Sequence, residues 1–205
     1  MKRVPLLATV IVGLAIVMMV ALGIWQLQRR GEKEALLVQL ATNQRLAPIA
    51  FPAIPIDDSL LFRRASAFCL KPVAWQTRGG RDARGTQGWR QIAHCSTGVE
   101  GPGFLVQIGI ASSAKAKPDW AGGKVSGYIS HAPSDAPLIA AAFSHQPKTL
   151  MLIADPPMAG LAPNPAADLS AVPNNHLAYA VQWFLFAAIA AIIYGLALRR
   201  RMHAI

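Results

Sequence analysis

Two uncharged apolar stretches near the ends of this chain, Val4 to Trp25 and Leu177 to Leu198, constrain its fold more than any other feature. Each holds about 22 residues and as a helix reaches about 33 Å, enough to cross the roughly 30 Å hydrocarbon core of a bilayer. Backbone inside lipid must satisfy its own polar groups, so a single spanning stretch takes helical form. Two spans put both termini on one side and the long middle on the other. About 148 of the 205 residues lie between Arg29 and His176, room for one compact domain with its own core and little space for a second.

Charge orients the pair. The net charge is +10, with Lys2, Arg3, Arg199, Arg200 and Arg201 at the tips and all acidic residues in the middle. Three arginines follow Leu198, and no Lys or Arg lies between Lys148 and the start of the second span. Basic residues close to a span stay cytoplasmic, so the C-terminus is expected there. Lys2 and Arg3 oppose Arg29, Arg30 and Lys33 at the first span, and the shared topology settles its direction. The first stretch is longer than a signal-peptide core and closes on Trp25-Gln26, which reads as an uncleaved anchor. A transit peptide would be Arg- and Ser-rich ahead of the anchor, and the three residues before Val4 lead us to expect none. A bacterial inner (plasma) membrane is expected, with both termini cytoplasmic and the middle periplasmic.

The expected class is α+β, with two transmembrane helices flanking one mainly antiparallel β domain. The segments are a cytoplasmic start over 1–3, a first span over 4–27, the exported domain over 28–176, a second span over 177–198 and a basic tail over 199–205. A leading helix over 32–46, with Ala35, Leu36, Leu37, Leu40 and Ala41 at core-facing spacing, continues the first span toward Pro48. Pro48, Pro52 and Pro55 then mark an irregular linker. Period-two patterns predict strands over Leu61 to Leu70, Trp89 to Cys95, Phe104 to Ile110, Lys124 to Ser130 and Leu150 to Ala154, with turns such as Arg78 to Arg81 between them. Strands this short suggest a sandwich or a partial barrel. Asp155 to Pro173, rich in Pro and Ala, reads as an extended tether back to the membrane. Cys69 and Cys95 fall in the exported domain without a C-x-x-C motif, which leaves two buried thiols or one bridge open and gives no support to a redox or copper relay.

The middle offers little catalytic chemistry. It has no nucleophile elbow, phosphate-cradling loop or zinc-protease motif. His94, His131 and His145 stand without a second ligand at helical spacing, and Asp57-Asp58 reads as a solvated turn. Arg78, Arg81, Arg84 and Arg90 among glycines read as a mobile loop, solvated or in contact with acidic lipid or a partner protein. Nucleic acid is excluded as a partner by the compartment.

The membrane edge differs, because polar groups there are costly unless they reach the interface or serve a purpose. Asn174 or Asn175 is placed to cap the second helix. His176, Tyr179, Ala180 and Trp183 recur on one face, putting an imidazole above two aromatic rings. On the first helix Trp25 and Arg29 are one turn apart, and Gly23 permits close approach. Ordinary roles exist for all of these: belt anchors for the aromatics, lipid headgroup contacts for Arg29 and Arg30, an interfacial position for His176. The sharper reading is cofactor handling, in which an imidazole ligates haem iron, aromatic faces flank the macrocycle and guanidinium groups meet propionates.

At these residues the chain resembles the Surfeit locus protein one family of cytochrome c oxidase assembly factors. The first span closes on Gly23-Ile24-Trp25-Gln26-Leu27-Gln28-Arg29, matching Gly-x-Trp-Gln-Leu-x-Arg. The second opens on Asn174-Asn175-His176-Leu177-Ala178-Tyr179-Ala180-Val181-Gln182-Trp183-Phe184, matching Asn-Asn-His-x-x-Tyr-Ala-x-x-Trp-Phe, and a basic tail follows. The resemblance implies a non-enzymatic inner-membrane protein that helps mature haem-copper oxidase, binding haem a transiently and passing it to the catalytic subunit. It implies His176 as iron ligand; our reading of the two helical faces adds Trp25, Tyr179 and Trp183 around the ring and Arg29 or Arg30 at a propionate. The implied partners are the catalytic subunit of cytochrome c oxidase, haem A synthase and membrane lipids. A scaffold that holds oxidase intermediates without touching haem is the alternative; a tethered hydrolase lacks its catalytic groups. The middle departs from the family: in place of a Val-Asn-Arg-Gly-Trp-Val-like stretch stands Leu105-Val106-Gln107-Ile108-Gly109-Ile110, in a domain that looks abbreviated.

Overall fold

A computed structural model describes residues 5–52, 58–98, 101, 103–134 and 148–203. Lys2, Arg3, Asp57 and His145 lie outside the described residues. The chain forms two compact units, one of Met1–Leu37 with Val172–Ile205 and one of Val38–Ala171.

The first unit is built from two helices, α1 (Leu6–Arg45) and α2 (His176–His203). Both have the length and composition of membrane spans, and only 6% of the residues in each apolar window are covered by protein. A helix apolar on every side and so little covered calls for a non-aqueous surrounding. α1 passes Arg29-Arg30-Gly31 without a break because Arg29 reaches Glu32 (2.6 Å) and Arg30 reaches Glu34 (2.7 Å), pairs one turn apart that stitch across the glycine. Arg200 and Arg201 in the last turn of α2 complement the negative end of its dipole. Inside this unit the helices run antiparallel. The hydroxyls of Thr9 and Tyr194 meet at 2.6 Å, and a Cβ on Gly23 would fall 2.6 Å from the Phe184 ring.

The second unit is one mixed seven-stranded sheet. Its strands are β1 (Ile49–Ala50), β2 (Arg64–Cys69), β3 (Lys71–Arg81), β4 (Gln87–Ser96), β5 (Phe104–Ala111), β6 (Gly123–His131) and β7 (Leu150–Ala154), in the order β1-β2-β6-β7-β5-β4-β3. The pairs β1/β2 and β5/β7 are parallel and the remaining pairs antiparallel, so the sheet is less uniform than its hairpin-like sequence suggests. β2 and β3 lie near opposite flanks yet are separated only by Leu70, whose N–H donates to Ser96 O (2.9 Å). A Cys69–Cys95 disulfide, Cα atoms 5.2 Å apart, fastens that corner. The corner therefore holds the end of β2 against the end of β4 across the sheet. Ile92, Met151 and Ile153 centre its core, and every residue of β7 is buried.

Three expectations are corrected. The turn assigned to Arg78 to Arg81 is strand: Gly79 pairs with Trp89 and Gly80 with Gly88, and the reversal comes later, at Asp82 to Thr86. Only Arg84 of the four arginines sits in that turn, so they do not form a mobile loop. The proline linker contains β1, which is tolerated between Pro48 and Pro52 because it is an outer strand of two residues. The tether is bonded to the sheet over its first half. Met158 N–H donates to Ile108 O (2.8 Å), Ile110 and Ala162 exchange backbone bonds, and Ala83 N–H donates to Pro163 O (3.0 Å). Asn164 is buried and donates to Gln107 O (3.1 Å) and Ala154 O (2.8 Å), while accepting from the Gln107 amide (2.7 Å). Gly109 makes room for this layer, since a Cβ there would lie 2.6 Å from Leu161 Cβ. The Tyr128 hydroxyl donates to Pro165 O (2.6 Å), and burial pushes its pKa up to about 12 against the lowering influence of Arg90 and with the help of Asp155.

Candidate cofactor site at the helix pair

Each residue singled out at the membrane edge belongs to the helix-pair unit. His176 is the first residue of α2 and half-buried, with Asn175 ahead of it supplying the carbonyl that accepts from Tyr179 N–H (3.3 Å). Asn174 does not cap the helix: its Oδ1 is buried without a hydrogen-bond partner. The His176 ring finds its partner on α1, where Nδ1 lies 2.7 Å from Gln26 Oε1. An amide oxygen only accepts, so in the neutral ring this bond calls for the proton on Nδ1 and leaves the lone pair on Nε2. This is the arrangement that orients an imidazole for metal ligation.

The remaining residues divide. Arg29 stacks over Trp25 at 5.7 Å from the ring centroid and bonds Glu32, while Arg30 bonds Glu34. Both ion pairs are solvent-accessible and hold their guanidinium groups weakly, by about 0.3–0.5 kcal/mol each for pairs of this spacing. Trp25 (46%) and Tyr179 (52%) are largely exposed, so their faces are available. Trp183 is half-buried and meets Phe186 edge to face at 6.3 Å. Ala180 and Ala187 are buried, and they line α2 where it needs small side chains for close packing. The structure thus joins His176 to α1 through Gln26 and joins Trp25 to Arg29; no described contact ties Tyr179 or Trp183 to Trp25.

Gln26 and Phe184 are contributors that sequence reasoning passed over. Both stand inside the quoted motifs, and the available signal was their position one residue from Trp25 and Trp183. Elsewhere, among the described residues, no group of three or more His, Cys, Asp or Glu side chains could hold a metal. His131, read as isolated, faces Asp58 at 2.6 Å through Nε2, a contact between the end of β6 and the 3-10 turn Asp58–Leu60.

The chain was compared with known families and with curated proteins. Residues 13–188 match the profile of the SURF1 family, a match that takes in most of α1, the whole sheet and the first turns of α2. No curated protein matches the chain.

Proposed function

Since the chain belongs to the SURF1 family, a family of assembly factors associated with cytochrome oxidase rather than of catalytic enzymes, we propose that it binds haem a at the edge of its helix pair and assists delivery to the oxidase catalytic subunit. The observation that carries this reading is the 2.7 Å contact of His176 Nδ1 with Gln26 Oε1, which favours the tautomer whose Nε2 would donate to iron. The residues present fit the group. Haem a supplies an iron that accepts an axial nitrogen and two propionates that accept hydrogen bonds. His176 would hold the iron, Arg29 or Arg30 would exchange an exposed Glu partner for a propionate, and Trp25, Tyr179 and Trp183 would offer aromatic faces. A single protein ligand from a half-buried imidazole suits release to a better-ligating acceptor.

The helices sit in this reading in a bacterial inner membrane, both ends cytoplasmic and the β domain periplasmic. Two features support it: the three arginines after Leu198, and the Cys69–Cys95 disulfide, which belongs to an oxidising compartment.

The test is to purify the full chain from cells that make haem a and record its absorption spectrum beside His176→Ala and Gln26→Ala. Haem a is expected with the wild type and absent from His176→Ala. Gln26→Ala should weaken retention by about tenfold or more, the usual effect of removing the group that orients a ligand. Unchanged haem in His176→Ala removes that residue from the ligand role. Absence of haem from all three, with oxidase binding intact, would replace the carrier by a scaffold.

A further inference from the structure

β3 is a flank of the sheet, and among the described residues β4 is its only strand neighbour. An outer strand shows a row of unpaired N–H and C=O groups that proteins usually blunt. The start of β3 is blunted by Pro72 and by the irregular pairing between Pro72 and Ala74; from Ala74 to Arg81 it runs in unbroken register against His94 to Gln87. The regular part is long enough to receive another strand.

Its charge is one-sided. From Lys71 to Ser96 the chain has five basic residues, Lys71, Arg78, Arg81, Arg84 and Arg90, and a single acid, Asp82. That acid is engaged by the N–H groups of Arg84 (2.9 Å) and Thr86 (2.8 Å) and pairs with the Arg84 guanidinium at 3.5 Å, which leaves the hairpin with a basic excess. The register sets Arg78 directly opposite Arg90, which places two guanidinium groups on one strand pair. A groove of about 580 Å³ opens on the hairpin, lined by Gly79, Gly80, Gly88, Arg81, Trp89 and Arg90. The side chain of Arg84 is 80% exposed beside it in sequence.

We infer that this edge receives an extended acidic segment of a partner protein, which pairs with β3 as an added strand and sets carboxylates against Arg81 and Arg84. A second copy of the same hairpin would bring arginine against arginine, so self-pairing is disfavoured. A lipid headgroup supplies negative charge but has no backbone to satisfy the edge. Strand addition uses both features at once, the main chain for affinity and the side chains for selection. The inference stands whether or not haem is held at His176.

The test uses the full chain in detergent and, as probe, a capped ten-residue peptide alternating Glu and Val, followed by fluorescence anisotropy. Binding is expected to weaken as salt rises, to fall about tenfold or more in Arg81→Glu/Arg84→Glu, and to vanish when Lys replaces Glu in the peptide. N-methylating alternate peptide nitrogens removes main-chain pairing while keeping every charge, and should also cost about tenfold or more. If the double reversal lowers the melting temperature, Arg81→Gln/Arg84→Gln is read in its place. Failure of the peptide to bind the wild type overturns the proposal, as does binding indifferent to N-methylation, which would leave a plain charge patch. Dioctanoyl phosphatidylglycerol bound through the same arginines, with no peptide binding, would assign the edge to lipid.

Discussion

A single proton decides what His176 can do. With it on Nδ1, donated to Gln26, the neutral imidazole keeps the Nε2 lone pair free of that bond; the sequence put His176 at the head of the second helix but could not supply this partner. A glutamine one residue past Trp25 belongs to no periodic pattern, and only the antiparallel pairing of the helices brings it to residue 176. Asp82 shows the same limit, because nothing in its neighbourhood marks it as the centre of a turn. Burial under its own hairpin raises its pKa, but the N–H groups of Thr86 and Arg84, the Arg84 charge and the Thr86 hydroxyl outweigh that and hold it below its ordinary value. A carboxyl lowered in the folded state adds stability that is complete above the unfolded pKa of about 4 and is lost as pH falls through the folded value. Asp82→Asn is therefore expected to melt below the wild type at pH 7, with the two curves converging as pH falls below about 4; thermal unfolding in detergent at stepped pH measures it. A constant gap across that range would show that the charge is not what the turn uses.

Among the elements, those with a regular apolar period were legible and those held by tertiary contacts were not. β5 to β7 fall within a residue or so of their predicted bounds, because Phe104 to Ile110, Lys124 to Ser130 and Leu150 to Ala154 are strongly β-forming and well bounded. β3 was hidden by Gly79-Gly80, which reads as a turn and is tolerated in a strand here because the Arg90 stem lies across Gly80. The tether was misread for a related reason: prolines announce the absence of a regular element but say nothing of what the chain lies against. Gly109 is the residue that seats this segment. Gly109→Val would press on Leu161 Cβ (2.6 Å from a Cβ) and Ala162 O (3.0 Å), and should cost about 1–3 kcal/mol as overpacking. Lower melting together with faster proteolysis between residues 155 and 165 is the expected outcome; unaltered proteolysis would mean that the segment is held elsewhere.

For the whole molecule, the ends of the sequence foretold two apolar helices and the middle foretold a sheet, but the corner at Leu70 could not be read from spacing alone. Cys69 and Cys95 are separated by 26 residues, and their bridge joins strands that are not neighbours in the sheet. Closing a loop of that size removes denatured-state entropy equivalent to about 3.5 kcal/mol in the chain-entropy treatment. Cys69→Ser/Cys95→Ser is expected to lose stability of about 2–4 kcal/mol, read by denaturant titration, with the wild type in reductant showing the same loss. An unshifted midpoint would make the corner self-sufficient. The place of β7 bears on the order of events during synthesis. It is the last strand to leave the ribosome, yet it lies between β5 and β6 at the middle of the sheet. Until Leu150 to Ala154 emerges, the nascent chain holds two separate groups of strands, β3-β4-β5 and β1-β2-β6, each with an open inner edge. The sheet is thus completed from its centre, and a chain that stalls before residue 150 has no keystone, leaving two raw edges for chaperones or proteases to find.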